Sequence, residues 1–438
     1  MAFESTILKE LEYRGLIFQM THDELDGYLA NNRAVLYCGI DPSARSAHIG
    51  NLLQMMGLAF FRRHGHQPMA LIGGATGLIG DPSGKSSERN LLTAEDVQQN
   101  VASMTDEVHR ILDRAMEMHP ESLKTGAVLE PIPVVNNIDW IGSLSFVDFL
   151  RDVGKHFRVN QMMQKDSVKN RLEEREAGLS FTEFSYMLLQ SYDFCHLAQH
   201  HGCALQIGGS DQWGNITAGM DFIRRTTDLT SFGLTLPLIT TASGKKLGKS
   251  EAGTVFLNPE IHSPYEFYQY WVSRDDADCE KLLKMFTFLE PEEISAQTGI
   301  IERGENRGQV QEVLAHEVTW LVHGKDAADD AVRASKMLFG EEISGLTDRD
   351  LETIFSDVPS SSLAADRLAQ GINSVELFSE CFGRSRGEIR RLIGQGGGYV
   401  NNRRIDSIER TITLDDLASE SLVVLRMGKK KYHLLSAV

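Results

Sequence analysis

The chain has 438 residues, enough for two or three domains with their own cores, and its 42% hydrophobic and 24% charged residues are typical of a soluble globular protein without membrane spans. Its formal net charge of −17 argues against a protein that binds nucleic acid over its whole surface, because phosphates are held by Lys and Arg. The five cysteines are odd in number and form no CxxC pair, which argues against a disulfide framework or a zinc site and indicates a reducing, cytoplasmic location.

Strands and helices alternate in the first part of the chain. The N-terminal sequence MAFESTILKELEYRG has acids and helix formers in place of the basic start and apolar core of a signal peptide. RAVLYCGI (33–40) and QPMALIGG (67–74) predict buried strands, with a helix over NLLQMMGLAFFRRH (51–64) between them. GCALQIGG (202–209) predicts a further strand of the same kind. This rhythm is typical of a parallel α/β sheet, whose ligands bind at the carboxyl ends of the strands.

A glycine-rich turn, GGATGLIGDPSGKSSER (73–89), follows the second strand and contains a Gly-Lys-Ser triplet. A P-loop would need another glycine at the position of Ile79, so the motif is absent. The turn carries Asp81, Lys85 and Arg89, and by itself it also fits an ordinary solvated loop. A P-loop nucleotide hydrolase is an alternative, and it predicts ATP hydrolysis without a second substrate.

The remaining pattern predicts an α/β protein with several domains. Residues 90–200 are mostly helical in pattern, apart from PIPVVNNIDW (131–140), and the PSSS cluster near residue 360 indicates a linker. We predict a Rossmann-like parallel-sheet domain over 1–240 with a helical insertion at about 115–205, an α-helical domain over 241–340, a linker over 341–372 and a small α+β domain over 373–438.

Two short strings indicate phosphate binding. SAHIGN (46–51, the HIGN segment) places His48 at a helix start, where free N–H groups and the helix dipole favour an anion. SGKKLGKSEAGT (243–254, the KLGKS loop) places Lys246 and Lys249 in a glycine-rich loop. Each string alone also fits a helix cap or a solvated turn. In this order around an α/β sheet, they resemble the HIGH and KMSKS signatures of class I aminoacyl-tRNA synthetases.

A polar stripe on an apolar helix narrows the resemblance. In FTEFSYMLLQSYDFCHLA (181–198), Tyr186, Gln190 and Asp193 lie on one helical face. Such a stripe forms either an internal hydrogen-bond network or a ligand site. With LYCGIDPSARSAHIG, GATGLIGDPSGK, RDVGKHF and QIGGSDQWGNITAG, it resembles the bacterial tyrosyl-tRNA synthetase family over nearly the whole chain.

The resemblance implies a tyrosine site. Its residues fall on Tyr37 and Asp193 for the phenolic hydroxyl, on Tyr186, Gln190 and Asp81 for the ammonium group, and on Gln212 near the carboxylate. A site made to pair a hydroxyl rejects phenylalanine because its buried polar groups would be left unpaired, an effect for which tyrosyl-tRNA synthetases are themselves the standard example. A tryptophan-specific relative would lack these phenol partners.

The resemblance also implies that ATP is a substrate, accompanied by Mg²⁺ that the protein does not bind tightly, with no resident metal site. The implied ATP-binding positions are Asp41, Ser43, His48, Gly208, Asp211 and Lys249. The implied catalytic positions are His48, Asn51, Lys85, Arg89, Lys246 and Lys249. Two positions depart from the family pattern, because Asn51 replaces the last His of HIGH and Gly248 replaces the first Ser of KMSKS.

The C-terminal end is basic. From Cys381 onward there are 11 Lys and Arg against 6 Asp and Glu, a net of +5, so residues 1–380 carry −22. SRGEIRRLIGQGGGYVNNRRI (385–405) resembles an S4 RNA-binding domain, which implies tRNA(Tyr) as a partner. The implied tRNA-binding residues are Arg386, Arg390, Arg391, Lys429, Lys430 and Lys431. The resemblance also implies a homodimer formed through the insertion and no membrane partner; the alternative is an RNA-binding protein on this scaffold without catalysis.

Overall fold

The computed structural model describes residues 3–83, 92–165, 168–169, 179–244, 246–250, 253–305, 308–338, 343, 346–355, 358–428 and 431–438. The chain divides into two compact units, Met1–His262 with Tyr270–Lys325 and Ser263–Gln269 with Asp326–Val438. In the described residues, no helix is both long enough and apolar enough to cross a membrane.

The first unit is built on a mixed sheet. Its strands are β1 (Gln19–Met20), β2 (Val35–Ile40), β3 (Gln67–Ile72), β4 (Val134–Asn136), β5 (Cys203–Gly209) and β6 (Phe232–Leu236). Their order is β1-β6-β5-β2-β3-β4, with β1 antiparallel to β6 and the other pairs parallel. The order reverses between β2 and β5, and ligands of such sheets bind at the carboxyl ends of the strands beside this point. A short hairpin follows, made of β7 (Lys249–Ser250) and β8 (Gly253–Thr254).

Helices cover both faces of this sheet or extend the unit beyond it. They are α1 (Thr6–Tyr13), α2 (Glu24–Asn31), α3 (Ile49–Arg63), α4 (Thr76–Ile79), α5 (Ala94–Glu117), α6 (Ile138–Ile141), α7 (Phe146–Asp152), α8 (Val159–Met162), α9 (Phe181–His201), α10 (Trp213–Thr226), α11 (Pro264–Val272), α12 (Asp276–Phe286), α13 (Pro291–Glu302) and α14 (Gln309–His323). Residues 264–269 of α11 belong to the second unit. Short 3₁₀ turns lie at Pro120–Ser122, Gly154–His156 and Ser210–Gln212.

The predicted strands are confirmed as β2, β3 and β5, and the predicted helix between the first two is confirmed as α3. These strands are apolar at nearly every position because a parallel sheet is covered on both faces. On one face, Tyr37 of β2 and Met69 of β3 share a core cluster with Phe194 of α9 and Ile216 of α10. The helix with the polar stripe therefore packs directly on the sheet, beside its reversal point.

The region predicted as an insertion, at about 115–205, differs from that expectation. Its segment 134–136 is β4, which pairs in parallel with β3 and so belongs to the main sheet. The proline-flanked run PIPVV is short, and its strand character depends on the edge that β3 offers it. The region therefore supplies a strand and α9 to the sheet domain itself.

The second unit is an α+β fold. Its helices are α15 (Lys325–Leu338), α16 (Asp348–Ile354), α17 (Ala365–Ala369), α18 (Ser374–Phe382) and α19 (Arg386–Gly394), and a 3₁₀ turn lies at Leu414–Asp416. Its strands are β9 (Ser360–Leu363), β10 (Ile372–Asn373), β11 (Gly398–Val400), β12 (Arg403–Arg404), β13 (Thr411–Ile412), β14 (Leu422–Met427) and β15 (Lys431–Ala437). The main sheet has the order β12-β11-β14-β15-β9, and β10 pairs with β13.

The two faces of this sheet bury different residues. One face packs Val423 and Leu425 against Phe378 of α18, and the other packs Val424 against Phe355 and Met337. The hairpin between β11 and β12 turns at Asn401 and Asn402, whose φ angles are 48° and 61°. Asn tolerates this left-handed conformation, which two-residue hairpin loops require.

The prediction of a linker over 341–372 is wrong for the described residues of this range. They include α16, β9 and α17, and β9 pairs in parallel with β15, with Ser360 opposite Leu434. The serines of the PSSS cluster form an edge strand, where exposed polar side chains are normal. The division between the units also falls near residue 325 instead of 340, because α15 contributes Met337 to the second unit's core.

Candidate active site

Polar side chains gather at the carboxyl edge of the main sheet. Asp41 follows β2, Thr76 follows β3, Asn137 follows β4 and Gln212 follows β5, while α9 lies over the same edge with its polar stripe. Because these strands are parallel, their carboxyl ends meet at one edge, and the side chains that follow them form one site.

The predicted phenol pair, Tyr37 and Asp193, is almost fully buried, at 1% and 2% exposure. The Asp193 carboxylate accepts hydrogen bonds from Asn137 Nδ2 at 2.9 Å and from Trp140 Nε1 at 2.7 Å. The Tyr37 hydroxyl is buried without a hydrogen-bond partner among the described residues. Native proteins seldom leave a buried hydroxyl unpaired, so this atom indicates a ligand with a hydrogen-bonding group.

Burial also changes the acidity of this pair. It raises the pKa of Asp193 to about 7, although the bonds from Asn137 and Trp140 act in the opposite direction. Burial, followed by the Asp193 charge, raises the pKa of Tyr37 well above its usual value. The site therefore offers an uncharged phenol and a carboxylate that titrates near neutral pH.

A second group of polar side chains surrounds Asp41. Its carboxylate accepts a hydrogen bond from the Tyr186 hydroxyl at 2.8 Å and another from Thr76 Oγ1 at 2.7 Å. Asn137 Nδ2 also donates to Thr76 Oγ1 at 3.1 Å, which links this group to the phenol pair. Asp41 thus lies with a predicted tyrosine-binding residue, and its assignment to ATP stays a prediction.

A third group joins three more predicted tyrosine-binding residues. Gln212 Nε2 donates to Asp81 Oδ2 at 2.6 Å. Asn215 of α10 donates through Nδ2 to Gln212 Oε1 at 3.1 Å and to Gln190 Oε1 at 3.0 Å. The amide of Asn215 therefore connects the stripe on α9 to the loop after β5.

The predicted nucleotide residues lie in a more open region. His48 and Ser43 are exposed, and Asp211 is partly buried beside Gln212. Burial and the charge of Asp81 raise the pKa of Asp211, while Lys246 lowers it, so Lys246 is within electrostatic reach of this carboxylate. Gly208 lies on β5, where a Cβ would come within 3.1 Å of Gln212 Cβ.

His48 and Asn51 form a capping box at the start of α3. His48 Nδ1 accepts from the Asn51 N–H at 3.2 Å, and Asn51 Oδ1 accepts from the His48 N–H at 3.1 Å. A Cβ on the intervening Gly50 would lie 2.8 Å from His48 Cε1, so a larger residue there would displace the His48 ring. Asn51 therefore has a structural role that the sequence did not reveal, because it fixes the helix start that presents His48.

The backbone of the KLGKS loop accounts for Gly248 in place of the first Ser of KMSKS. Gly248 has φ +92°, a conformation that disfavours serine, and its N–H donates to the Tyr270 hydroxyl at 2.9 Å. Lys246 is exposed, and the backbone of Lys249 lies in β7. The side chain of Lys249 lies outside the described residues, as do Lys85 and Arg89.

The predicted tRNA-binding residues are on the second unit. Arg386, Arg390 and Arg391 are exposed on α19, and Arg386 Nη2 lies 3.5 Å from Glu376 Oε1. Lys431 is exposed at the start of β15, whereas Lys429 and Lys430 lie outside the described residues. The three arginines thus share one short helix with free access to solvent.

Sequence reasoning missed Asn137, Trp140, Thr76 and Asn215. The string NNIDW after a short apolar run was the available signal for Asn137, because polar residues that end a parallel strand face the site. Trp140 and Asn215 gave no comparable signal, since their contacts depend on α6 and α10 reaching α9. For the part of the chain that the structure describes, no group of three or more His, Cys, Asp or Glu is arranged to hold a metal ion.

The chain is similar to known proteins along its whole length. The family described as tRNA synthetases class I (W and Y) matches residues 29–340, and the tyrosine–tRNA ligase SYY-like C-terminal domain matches residues 350–435. The tyrosine–tRNA ligase of Roseiflexus castenholzii is 47% identical over 436 residues, covering 99% of this chain and 100% of the relative. That of Bacillus caldotenax is 46% identical over 434 residues, covering 98% of this chain and 99% of the relative.

A solved structure agrees in fold. The C-terminally truncated mitochondrial tyrosyl-tRNA synthetase of Aspergillus nidulans matches with a TM-score of 0.68 at 33% identity, covering 76% of this chain and 94% of that one. The two matched families follow one another along the chain, at residues 29–340 and 350–435. The chain therefore belongs to the class I tRNA synthetases of the tryptophan and tyrosine group, on the tyrosine branch.

Proposed function

We propose that the chain acts as a tyrosine–tRNA ligase through the residues at the carboxyl edge of the main sheet. It joins L-tyrosine and ATP into tyrosyl-adenylate with release of pyrophosphate, and it then transfers the tyrosyl group to the 3′ end of tRNA(Tyr). The observation that supports this most is the buried Tyr37 hydroxyl, which has no partner among the described residues and lies beside the Asp193 carboxylate. A phenolic hydroxyl can donate to Asp193 and also pair with Tyr37. Neither the indole of tryptophan nor the ring of phenylalanine can make both contacts.

The first step needs positioning and charge more than proton transfer. The tyrosine carboxylate is already an anion, so it attacks the α-phosphorus without a general base. Tyr186, Gln190 and Asp81 hold the ammonium group, and Gln212 lies near the carboxylate. Placing both reactants in one site removes most of the entropic cost of their encounter.

Cationic and polar groups stabilise the transition state. His48 and Asn51 lie at the helix start, and Lys246, Lys249, Lys85 and Arg89 supply positive charge to the departing pyrophosphate. Asp41, Ser43, Gly208 and Asp211 complete the ATP contacts. Mg²⁺, which the protein is not expected to bind tightly, would accompany ATP and would neutralise charge on its phosphates.

Tyrosine-dependent exchange of pyrophosphate into ATP tests the first step. We expect exchange with tyrosine and little with phenylalanine or tryptophan. No exchange by purified protein would contradict the enzyme assignment and favour the RNA-binding alternative. ATP hydrolysis without tyrosine would instead favour a nucleotide hydrolase.

The second unit is proposed to bind tRNA through α19. Replacing Arg390 and Arg391 with Glu should raise the KM for tRNA about ten-fold or more and reduce its salt dependence, because phosphate contacts are lost. Pyrophosphate exchange should not change, since α19 belongs to the other compact unit. The matched control is Arg224→Glu, which reverses an exposed charge in the first unit. An unchanged KM for tRNA in the double variant would contradict this role.

The homodimer and the cytoplasmic location are also proposals. Large apolar side chains are exposed on successive elements of the 115–205 region, with Phe146 at 66%, Val147 at 70% and Phe181 at 68% exposure, and such surfaces commonly mark an interface. Sedimentation equilibrium should give twice the chain mass.

The five free cysteines, four of them buried, are consistent with a reducing compartment.

A further inference from the structure

Two buried side chains, one at the start of the HIGN segment and one on α5, fix the backbone of this segment. Ser46, at 1% exposure, lies two residues before His48. Glu107, at 2% exposure, lies on α5 and accepts a hydrogen bond from the backbone of the same segment. Neither residue is among the proposed tyrosine-, ATP- or tRNA-binding residues.

Ser46 joins the HIGN segment to the chain that leaves the KLGKS loop. Its hydroxyl accepts from the Leu257 N–H at 3.2 Å and from the Asn258 N–H at 3.0 Å, and it donates to the Ala47 carbonyl at 2.8 Å. The segment 255–258 begins directly after β8, at the C-terminal base of the loop. The Asn258 N–H therefore has this hydroxyl as its acceptor, and the Leu257 N–H shares it with the Ala47 carbonyl.

Backbone pairing extends this junction. The Leu257 N–H donates to the Ala47 carbonyl at 2.9 Å, and the Ile49 N–H donates to the Val255 carbonyl at 3.3 Å. His48 and Phe256 form an isolated antiparallel bridge between these bonds. His48 itself is thus held against the strand-like segment that follows the loop with Lys246 and Lys249.

Glu107 holds the backbone of the segment at Ala47. Its Oε2 accepts from the Ala47 N–H at 2.8 Å, in a buried position. Burial raises the pKa of Glu107, and the Ala47 N–H followed by Ser46 opposes this change. About two turns earlier on α5, Asn100 Nδ2 donates to the Pro42 carbonyl at 3.0 Å, so the same helix holds both ends of the loop between β2 and α3.

We propose that Ser46 and Glu107 are positioning residues that couple the HIGN segment to the KLGKS loop during tyrosyl-adenylate formation. This inference rests on the proposed function. Neither side chain is proposed to touch the reacting atoms. Glu107 binds the Ala47 N–H, and Ser46 binds the backbone at the C-terminal base of the KLGKS loop. A displacement of about 1 Å at a reacting group can cost roughly 100-fold in rate, so a rigid junction has catalytic value.

The test uses the full-length protein and compares Ser46→Ala with Ser5→Ala. Ser5 is a matched control because it is 2% exposed and its hydroxyl also accepts a backbone N–H, from Leu8, at the start of α1. We expect Ser46→Ala to slow single-turnover adenylate formation about ten-fold or more, with the Kd for tyrosine unchanged. Ser5→Ala should lower the melting temperature without slowing this step.

Glu107 is tested by its need for an acceptor. Glu107→Gln keeps a carbonyl oxygen for the Ala47 N–H and should keep a rate near that of the wild type, whereas Glu107→Leu should resemble Ser46→Ala. If Glu107→Leu does not fold, Ser46→Ala decides the question. A double variant of Ser46→Ala with Lys246→Ala should lose less than the product of the two single effects, because both act on the same loop.

The possible results lead to different conclusions about the junction. A Ser46→Ala protein with a lower melting temperature but a normal rate of adenylate formation would show that the junction is only structural. Multiplicative effects in the double variant would disprove coupling to the loop. Absence of exchange in the wild-type protein would overturn the proposed function, and with it this inference, whatever the variants did.

Discussion

The two ends of the candidate site are built differently. At the phenol end, Tyr37, Asn137 and Asp193 are buried, and Asn137 donates a hydrogen bond to Asp193. At the nucleotide end, His48 and Ser43 are exposed, and His48 is held by a capping box and a single backbone bridge. Selection between amino acids that differ by one hydroxyl needs a dry site, because only there is an unpaired polar atom costly. Binding of a triphosphate needs access and charge instead.

The two ends also differ in how they affect the stability of the protein without substrate. Burying the Tyr37 hydroxyl without a partner and holding a carboxylate with a pKa of about 7 both disfavour folding. The capping box at His48 and Asn51 stabilises α3. The selective end is therefore the strained end, and variants there should separate stability from function.

The largest expected effect is that of Asp193→Asn. The variant removes the charge that Asn137, Trp140 and the proposed substrate hydroxyl all face, so kcat/KM for tyrosine should fall roughly 100-fold, on the order of 3 kcal/mol. The KM for ATP should stay within about two-fold, because the nucleotide end is separate. Steady-state exchange kinetics measure both constants. An equal change in both would show that the two ends are not independent.

Tyr37→Phe should have a smaller effect, which raises the stability of the free protein and lowers its selectivity for tyrosine. Removing a buried hydroxyl without a partner should raise the free energy of unfolding by about 1 kcal/mol in the absence of substrate. The ratio of kcat/KM for tyrosine over phenylalanine should fall about ten-fold, because one hydroxyl partner is gone. Thermal unfolding and exchange with each amino acid check the two parts. Loss of stability would mean that the hydroxyl is paired in solution.

The pH dependence should report on Asp193. Its folded pKa of about 7 lies above its ordinary value of 3.8, so between these limits the folded protein keeps a proton that the unfolded chain has lost, and the free energy of unfolding falls as pH rises. The ionised carboxylate accepts the substrate hydroxyl, so kcat/KM for tyrosine should rise through pH 7. Trp140→Phe removes a donor that lowers this pKa and should move the rise to higher pH. If the rise in kcat/KM stays at the same pH in this variant, a group other than Asp193 titrates.

The smallest effect is expected from Asn51→Ala at the nucleotide end. Losing half of the capping box should cost about 1 kcal/mol of stability and raise the KM for ATP a few-fold, since His48 loses its fixed position. The Kd for tyrosine, measured by equilibrium dialysis, should not change. A parallel loss of tyrosine affinity would indicate that the helix start also supports the phenol end.

Much of the site was predictable from short strings. Strand-then-glycine patterns located β2, β3 and β5, and the stripe of Tyr186, Gln190 and Asp193 was correctly placed on one helix. The structure brings Tyr186 to Asp41 and joins Gln190 to Gln212 through Asn215. The roles of these residues toward tyrosine and ATP stay predictions. Asn137 was missed because β4 is short and lies in a region whose pattern is mostly helical.

The linker prediction failed for a related reason. The serines of β9 have no periodic apolar pattern, because an edge strand is defined by the backbone bonds that β15 offers it. Polar composition alone does not distinguish an exposed edge strand from a linker. The same limit applies to Ser46, whose importance rests on two backbone donors more than 200 residues away.

The sequence by itself determined the family, the parallel α/β class and the residue types at the sheet edge, because local periodicity and motif spacing are properties of the chain. Only the tertiary structure decided which polar atoms are paired. It left the Tyr37 hydroxyl unpaired among the described residues, satisfied Asp193 with Asn137 and Trp140, and joined Ser46 to the segment that follows the KLGKS loop. Hydrogen bonds and burial depend on elements far apart in sequence, and their energies are set by the dielectric surroundings that folding creates.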